Sequence, residues 1–216
     1  MGFESPYRQS GVLVKGMKKI KTLFERVIVD HEIVDILSNV TEGCEWVLNG
    51  EGIATRKYDG TACMVRNGVL YARYNYYTIK RGRKKARVLP EGAIPCQDAP
   101  DPITGHFPHW VPTKGRDMNY NWHNIAFEKQ PGLPDGTYEL VGVHFKRNPE
   151  GIEDGDILIR HGDTVLEDVP RTFEGIKNYL ESHYMEGIVF HRGNGDMCKI
   201  KRTDFHFMWN GSYSSR

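Results

Sequence analysis

The pair Asn67-Gly68 separates two short runs of β-branched, aromatic and alternating character, Thr61–Arg66 and Val69–Tyr74. Asn-Gly supplies the two left-handed positions of a type I′ turn, whose twist matches that of paired strands, so this stretch predicts a tight β-hairpin. A hairpin of that kind commits the chain to antiparallel pairing here. A second one is predicted at 187–191 and 197–202, around Gly193-Asn194-Gly195, and strands are predicted at 137–145 and 157–160. Thr172 can cap a helix that buries Phe173, Ile176 and Leu180 on one face. Ile33, Val34, Leu37 and Val40 recur at helical spacing and predict a short amphipathic helix over 30–40. The expected fold class is α+β, with mostly antiparallel sheet and a few packed helices.

Organisation follows from where this pattern starts and stops. Residues 1–45 read as a basic arm (Lys15, Lys18, Lys19, Lys21) and a short helix packed on the core, and residues 46–216 as the main domain. Residues 90–125 form a Pro/His/Trp-rich insertion, long enough to suggest a function. With 29 Lys and Arg against 28 Asp and Glu, overall charge gives no argument for a polyanionic partner, which would have to meet a local patch. The four cysteines are scattered with no C-x-x-C pair, which argues against a zinc knuckle or a disulfide-dense scaffold and fits a reducing compartment. No apolar run approaches bilayer length and no signal core opens the chain, so a soluble cytoplasmic protein without a membrane partner is expected.

Four strand-associated clusters carry charged groups at the edge of apolar runs. In order they are Lys57-Tyr58-Asp59-Gly60, Tyr138-Glu139-Leu140-Val141-Gly142, Glu186-Gly187-Ile188-Val189 and Lys199-Ile200-Lys201. Singly, each reads as a solvated strand end or a solvent-facing lysine row. As an ordered set they resemble the motifs of the covalent nucleotidyltransferase superfamily, which holds ATP-dependent DNA and RNA ligases and mRNA capping enzymes. The K-x-D-G motif matches Lys57 to Gly60, the strand glutamate Glu139, the E-G-hydrophobic-V motif Glu186 to Val189, and the K-hydrophobic-K motif Lys199 to Lys201. A closer resemblance is to the compact RNA ligase family that includes the vertebrate 5′–3′ RNA ligase. It rests on Gly105-His106-x-Pro108-x-Trp110-Val111-Pro112, Trp122-His123, Leu158-Ile159-x-His161-Gly162 and Glu186-Gly187-Ile188-Val189-x-His191. That relative has His where this chain has Lys201, so Lys201 rests on the wider superfamily.

The resemblance implies an adenylation domain of mostly antiparallel sheets with flanking helices, and no C-terminal OB domain. It implies an ATP-dependent RNA ligase that self-adenylylates on Lys57, passes AMP to an RNA 5′-phosphate and joins that end to a 3′-OH. Nucleotide-binding roles fall to Asp59, Gly60, Arg73, Glu139, His161, Lys199 and Lys201, and Mg²⁺ (or Mn²⁺) to Glu186 and Asp59. No obligate protein partner is implied. The residue chemistry agrees: a lysine near pKa ~10.4 is protonated at neutral pH and becomes a nucleophile only when desolvated or set beside other cations. Arg73 suits a phosphate through its planar fork. Arg73 with Lys80, Arg81, Arg83, Lys84 and Lys85, beside Tyr74, Tyr76 and Tyr77, has the composition of a single-strand RNA contact, and equally of a solvated hairpin tip. A DNA ligase, a GTP-using capping enzyme and a non-catalytic nucleic-acid or AMP-binding module are the alternatives. His106, His109 and His123 match no zinc spacing.

Overall fold

The computed structural model describes residues 20–30, 32–79 and 88–210. Lys15, Lys18 and Lys19 of the basic arm, and Lys80, Arg81, Arg83, Lys84 and Lys85, lie outside the described residues. In chain order the first elements are β1 (Lys21–Thr22), β2 (Phe24–Val29), β3 (Glu32–Val40), α1 (Glu45–Leu48), β4 (Ile53–Lys57), β5 (Thr61–Arg66) and β6 (Val69–Tyr74). Then come β7 (Ile94–Pro95), β8 (His109–Pro112), α2 (Asp117–Lys129), β9 (Gly136–Gly142), β10 (Asp156–Arg160) and β11 (Val165–Leu166). The chain continues through α3 (Phe173–Ser182), β12 (Gly187–His191), β13 (Met197–Lys201) and a 3-10 turn, Arg202–Phe205. The fold is mixed α and β, mostly antiparallel sheet with few helices. It divides into two compact units: an inserted unit within Gly60–His161, and a split unit drawn from Lys19–Asp59 and Gly162–Arg216.

The inserted unit is built on the Asn67-Gly68 hairpin. Both residues take the left-handed conformation that a type I′ turn requires, with φ of 51° and 70°. β5 and β6 extend into a six-stranded antiparallel sheet of order β10-β9-β5-β6-β8-β7. Cys63 is in register with both Tyr138 and Ala72, so the three share one face. That side, with Val65, Leu70, Leu140 and Leu158, packs against Ala126 and Phe127 of α2. The other face holds Ala62, Met64 and Trp110 over Cys96. Alternation assigns Glu139 and Arg73 to this second face, because each neighbours a residue of the first and pairs with Ala62 or Trp110. The 90–125 stretch contains strand and helix: it supplies β7, β8 and the start of α2, and buries His109, Trp110 and Val111.

In the split unit a five-stranded sheet runs β1-β13-β12-β4-β11, with β1 parallel to β13 and the other pairs antiparallel. The second predicted hairpin is the β12–β13 pair. Ile188, Phe190, Cys198 and Ile200 face the core, where Ile176 and Leu180 of α3 are fully buried. Burial of each such side chain contributes about 1.5–3 kcal/mol. Thr172 caps α3 as expected, its Oγ1 accepting from the Gly175 N–H at 3.2 Å.

The expected helix over 30–40 is instead strand β3, paired antiparallel with β2. Ile33, Val34 and Leu37, the supposed buried face, are 38–44% exposed, while Ile36 is buried. The β-branched residues Ile33, Val34, Ile36 and Val40 lose side-chain freedom in a helix and fit a pleated ribbon, and β2 supplies the partner. Cys44 and Cys198, 154 residues apart, are joined in a disulfide that the reading of a reducing compartment does not foresee; Cys63 and Cys96 are buried thiols. Among the described residues no helix is long and apolar enough to cross a membrane.

Candidate functional site

Strand alternation explains the lysine motif of the split unit. In β13, Cys198 and Ile200 point into the core, so Lys199 and Lys201 take the opposite face. Gly187 of β12 is in register with Lys57 of β4 on one side and Lys201 on the other. Two residues along, Val189 lies between Thr55 and Lys199. Lys57, Lys199 and Lys201 therefore share one face of three adjacent strands. A Cβ at Gly187 would lie 2.2 Å from the Ile200 carbonyl oxygen, so only glycine allows this approach.

Glu186, immediately before β12, is 5% exposed and sits among these cations. Its Oε2 accepts from Lys57 Nζ in a short contact, and its Oε1 is 3.3 Å from Lys201 Nζ. Burying a carboxylate this far is costly unless it is paired in this way. Lys199 is the lysine whose ionisation is depressed, to about 8. Its burial is the main cause, the charges of Lys201, Lys57 and Arg26 add to it, and Glu186 opposes it. Arg26, itself paired with Asp204 at 2.6 Å, carried no signal in the sequence because nothing local links residue 26 to residue 199. Asp59 accepts from the Trp209 indole N–H at 2.9 Å, and Tyr58 Oη is 3.1 Å from Thr164 Oγ1. These partners too are distant in sequence.

The inserted unit holds the remaining candidates. Gly60 donates its N–H to Glu139 Oε1 at 3.1 Å, and His161 Nε2 lies 2.9 Å from Glu139 Oε2. With Nε2 as donor, His161 Nδ1 is left as a buried acceptor, without a partner among the described residues. Gly60 is obligatory here, since a Cβ would fall 2.1 Å from the Leu140 carbonyl oxygen. Arg73, on the same face as Glu139, has a buried Nε without a hydrogen-bond partner among the described residues. The K-x-D-G tetrad is thus divided, with Lys57 and Asp59 in the split unit and Gly60 in the inserted one.

Of the aromatic residues near Arg73, Tyr76 packs edge-on against His109, and Tyr77 lies tilted against His106. His123 is pushed down to about 4 by burial. Among the described residues no group of three or more His, Cys, Asp and Glu side chains could hold a metal by itself. Glu186 and Asp59 each offer one carboxylate, already engaged by ammonium groups or an indole N–H. Either carboxylate alone is of the type a hard cation such as Mg²⁺ accepts, with its other ligands drawn from water and phosphate oxygens.

Sequence comparison adds an independent observation. RNA ligase 1 of Rattus norvegicus is 25% identical in an alignment 226 positions long, covering 73% of this chain and 68% of that protein. RNA ligase 1 of Mus musculus is 24% identical over 222 positions with the same coverage, and that of Danio rerio is 25% identical over 155 positions, covering 57% and 46%. No family model matches the chain. The chain is distantly related to proteins of that name.

Proposed function

We propose that this chain is an ATP-dependent RNA ligase of the covalent nucleotidyltransferase type, with Lys57 as the residue that carries AMP. The observation that carries the reading is the Glu186 carboxylate held between Lys57 and Lys201, on a sheet face shared with Lys199. The distant relationship to proteins named RNA ligase 1 supports the choice of substrate. In the first step Lys57 Nζ, having released its proton to solvent, attacks the α-phosphorus of ATP. The N–P bond forms as the bond to the bridging oxygen breaks, and pyrophosphate leaves. An RNA 5′-phosphate oxygen then attacks the lysyl-AMP phosphorus and Lys57 departs as the amine. A 3′-OH finally attacks the activated 5′-phosphate and expels AMP.

Phosphoryl and nucleotidyl transfers depend on positioning and charge stabilisation more than on proton traffic. Lys199 and Lys201 offset phosphate charge, and Arg73 is the proposed phosphate fork. Glu139, held by the Gly60 N–H and His161, is the proposed acceptor for a ribose hydroxyl, with His161 beside the adenine. Glu186 and Asp59 are the proposed protein ligands of Mg²⁺ or Mn²⁺, which would supply charge neutralisation at the phosphates.

A substrate panel tests this reading. Purified protein with ATP and Mg²⁺ is expected to seal RNA strands bearing 5′-phosphate and 3′-OH ends, and Lys57→Ala to abolish sealing. Labelling by GTP in place of ATP would identify a capping-type enzyme, and sealing of DNA alone a DNA ligase. Nucleotide or RNA binding without covalent labelling would leave only a binding module.

A further inference from the structure

Trp122 of α2 is 43% exposed, yet its ring is held in place. The His144 imidazole stacks on it with ring centres 3.4 Å apart and planes 11° from parallel. His144 is itself fixed by Asp156, which is 6% exposed: Oδ2 is 2.7 Å from His144 Nδ1, and Oδ1 accepts from the His144 backbone N–H at 3.0 Å. A buried carboxylate thus sets the plane of an exposed ring pair.

The segment that follows is equally well defined. Lys146, Arg147 and Asn148 are three consecutive non-glycine residues in the left-handed region, with φ of 50°, 63° and 53°. Such a run is sterically disfavoured and persists where its surroundings hold it. Here Asn148 clasps Ile152 at both ends of its amide, Oδ1 accepting at 2.9 Å and Nδ2 donating at 2.8 Å, while Phe145 packs edge-on against His123. The outcome is a pair of exposed cations, Lys146 and Arg147, two and three residues beyond an exposed, pre-oriented ring stack.

We infer that Trp122 and His144, with Lys146 and Arg147, form an accessory contact for single-stranded RNA, in which an unpaired base continues the ring stack and the cations meet the flanking phosphates. Flat rings beside cations are the chemistry that single strands need, and the fixed stack lowers the cost of ordering on binding. This inference rests on the proposed ligase reading for its substrate class. α2 packs on the sheet face of Tyr138 and Leu140, whereas Glu139 and Arg73 belong to the other face, so the contact takes no part in nucleotide chemistry.

The test measures binding of a labelled single-stranded RNA by fluorescence anisotropy, and covalent AMP labelling in parallel, for wild type, Trp122→Ala, Trp122→Phe and the Lys146→Ala/Arg147→Ala pair. Trp122→Ala is expected to weaken RNA binding roughly 5- to 100-fold, the range for losing one base stack, and Trp122→Phe to recover much of it. The charge pair should weaken binding mainly at low salt. All variants should label with AMP as wild type does, so failure of the ligase reading is visible separately, as absent labelling in the wild type. Unchanged RNA affinity in Trp122→Ala, no RNA binding by wild type, or binding of an acidic peptide in place of RNA would each overturn the inference.

Discussion

The two halves of the candidate machinery hold their glutamates in opposite ways. In the split unit Glu186 is buried among ammonium groups, with Lys57 on one oxygen and Lys201 on the other. In the inserted unit Glu139 is held by a backbone N–H and an imidazole nitrogen, weaker partners that are less tied to full charge. The first arrangement concentrates charge of both signs on one sheet face. The second aims a carboxylate whose geometry is set and whose capacity to accept further hydrogen bonds is not exhausted. Both rely on a glycine that lets two strands or a turn close to a distance no side chain permits, Gly187 in one unit and Gly60 in the other.

The largest expected effect comes from removing the shared anion. Glu186→Ala leaves three lysines on one sheet face without their counter-charge and should cost about 3 kcal/mol. That is the low end for breaking a buried pair, because Lys57 and Lys201 keep 21% and 33% of their side chains in water. Thermal denaturation measures the loss, and AMP labelling should disappear with it. Gly187→Ala should cost about 1–3 kcal/mol by forcing β12 away from β13 and displacing Lys201. If its labelling remained at wild-type level, the close approach at Gly187 would not matter to the chemistry.

A pH series probes the lysine face of the split unit. Burial holds the Lys199 pKa near 8, below its usual 10.5, so between those values the unfolded chain binds more protons and stability rises with pH. The penalty, roughly 3 kcal/mol, is fully present below about pH 8 and relieved as pH rises to 10.5. Denaturant midpoints from pH 7 to 10.5 should show that rise, and Lys199→Met should flatten it. The smallest expected effect is a control: Thr172→Ala removes the α3 cap at a cost of about 1 kcal/mol and should leave labelling per folded molecule unchanged.

What could be read in the sequence was what local chemistry decides. Asn67-Gly68, the glycines at 193 and 195, and Thr172 before an apolar stripe each specify their own geometry within a few residues. The β2–β3 ribbon could not be read this way. Its two strands are neighbours in the chain, but with Ile28, Val29, Ile33, Val34 and Leu37 exposed there is no simple alternation to reveal a strand. The site divides along the same line. Lys199-Ile200-Lys201 announces its own face, whereas the Glu186 contact with Lys57 spans 129 residues and the Trp209 contact with Asp59 spans 150. Only the order of the motifs pointed to such meetings, and order carries no distances.

The central claim is that Lys57, in contact with Glu186 and beside Lys199 and Lys201, is the residue that takes AMP. Mass spectrometry of the protein after incubation with ATP and Mg²⁺, followed by peptide mapping, tests it most directly. The account predicts one added AMP per chain, on the peptide containing Lys57, and none in Lys57→Ala. AMP found on Lys199 or Lys201 in the wild type, or no adduct at all, would contradict it.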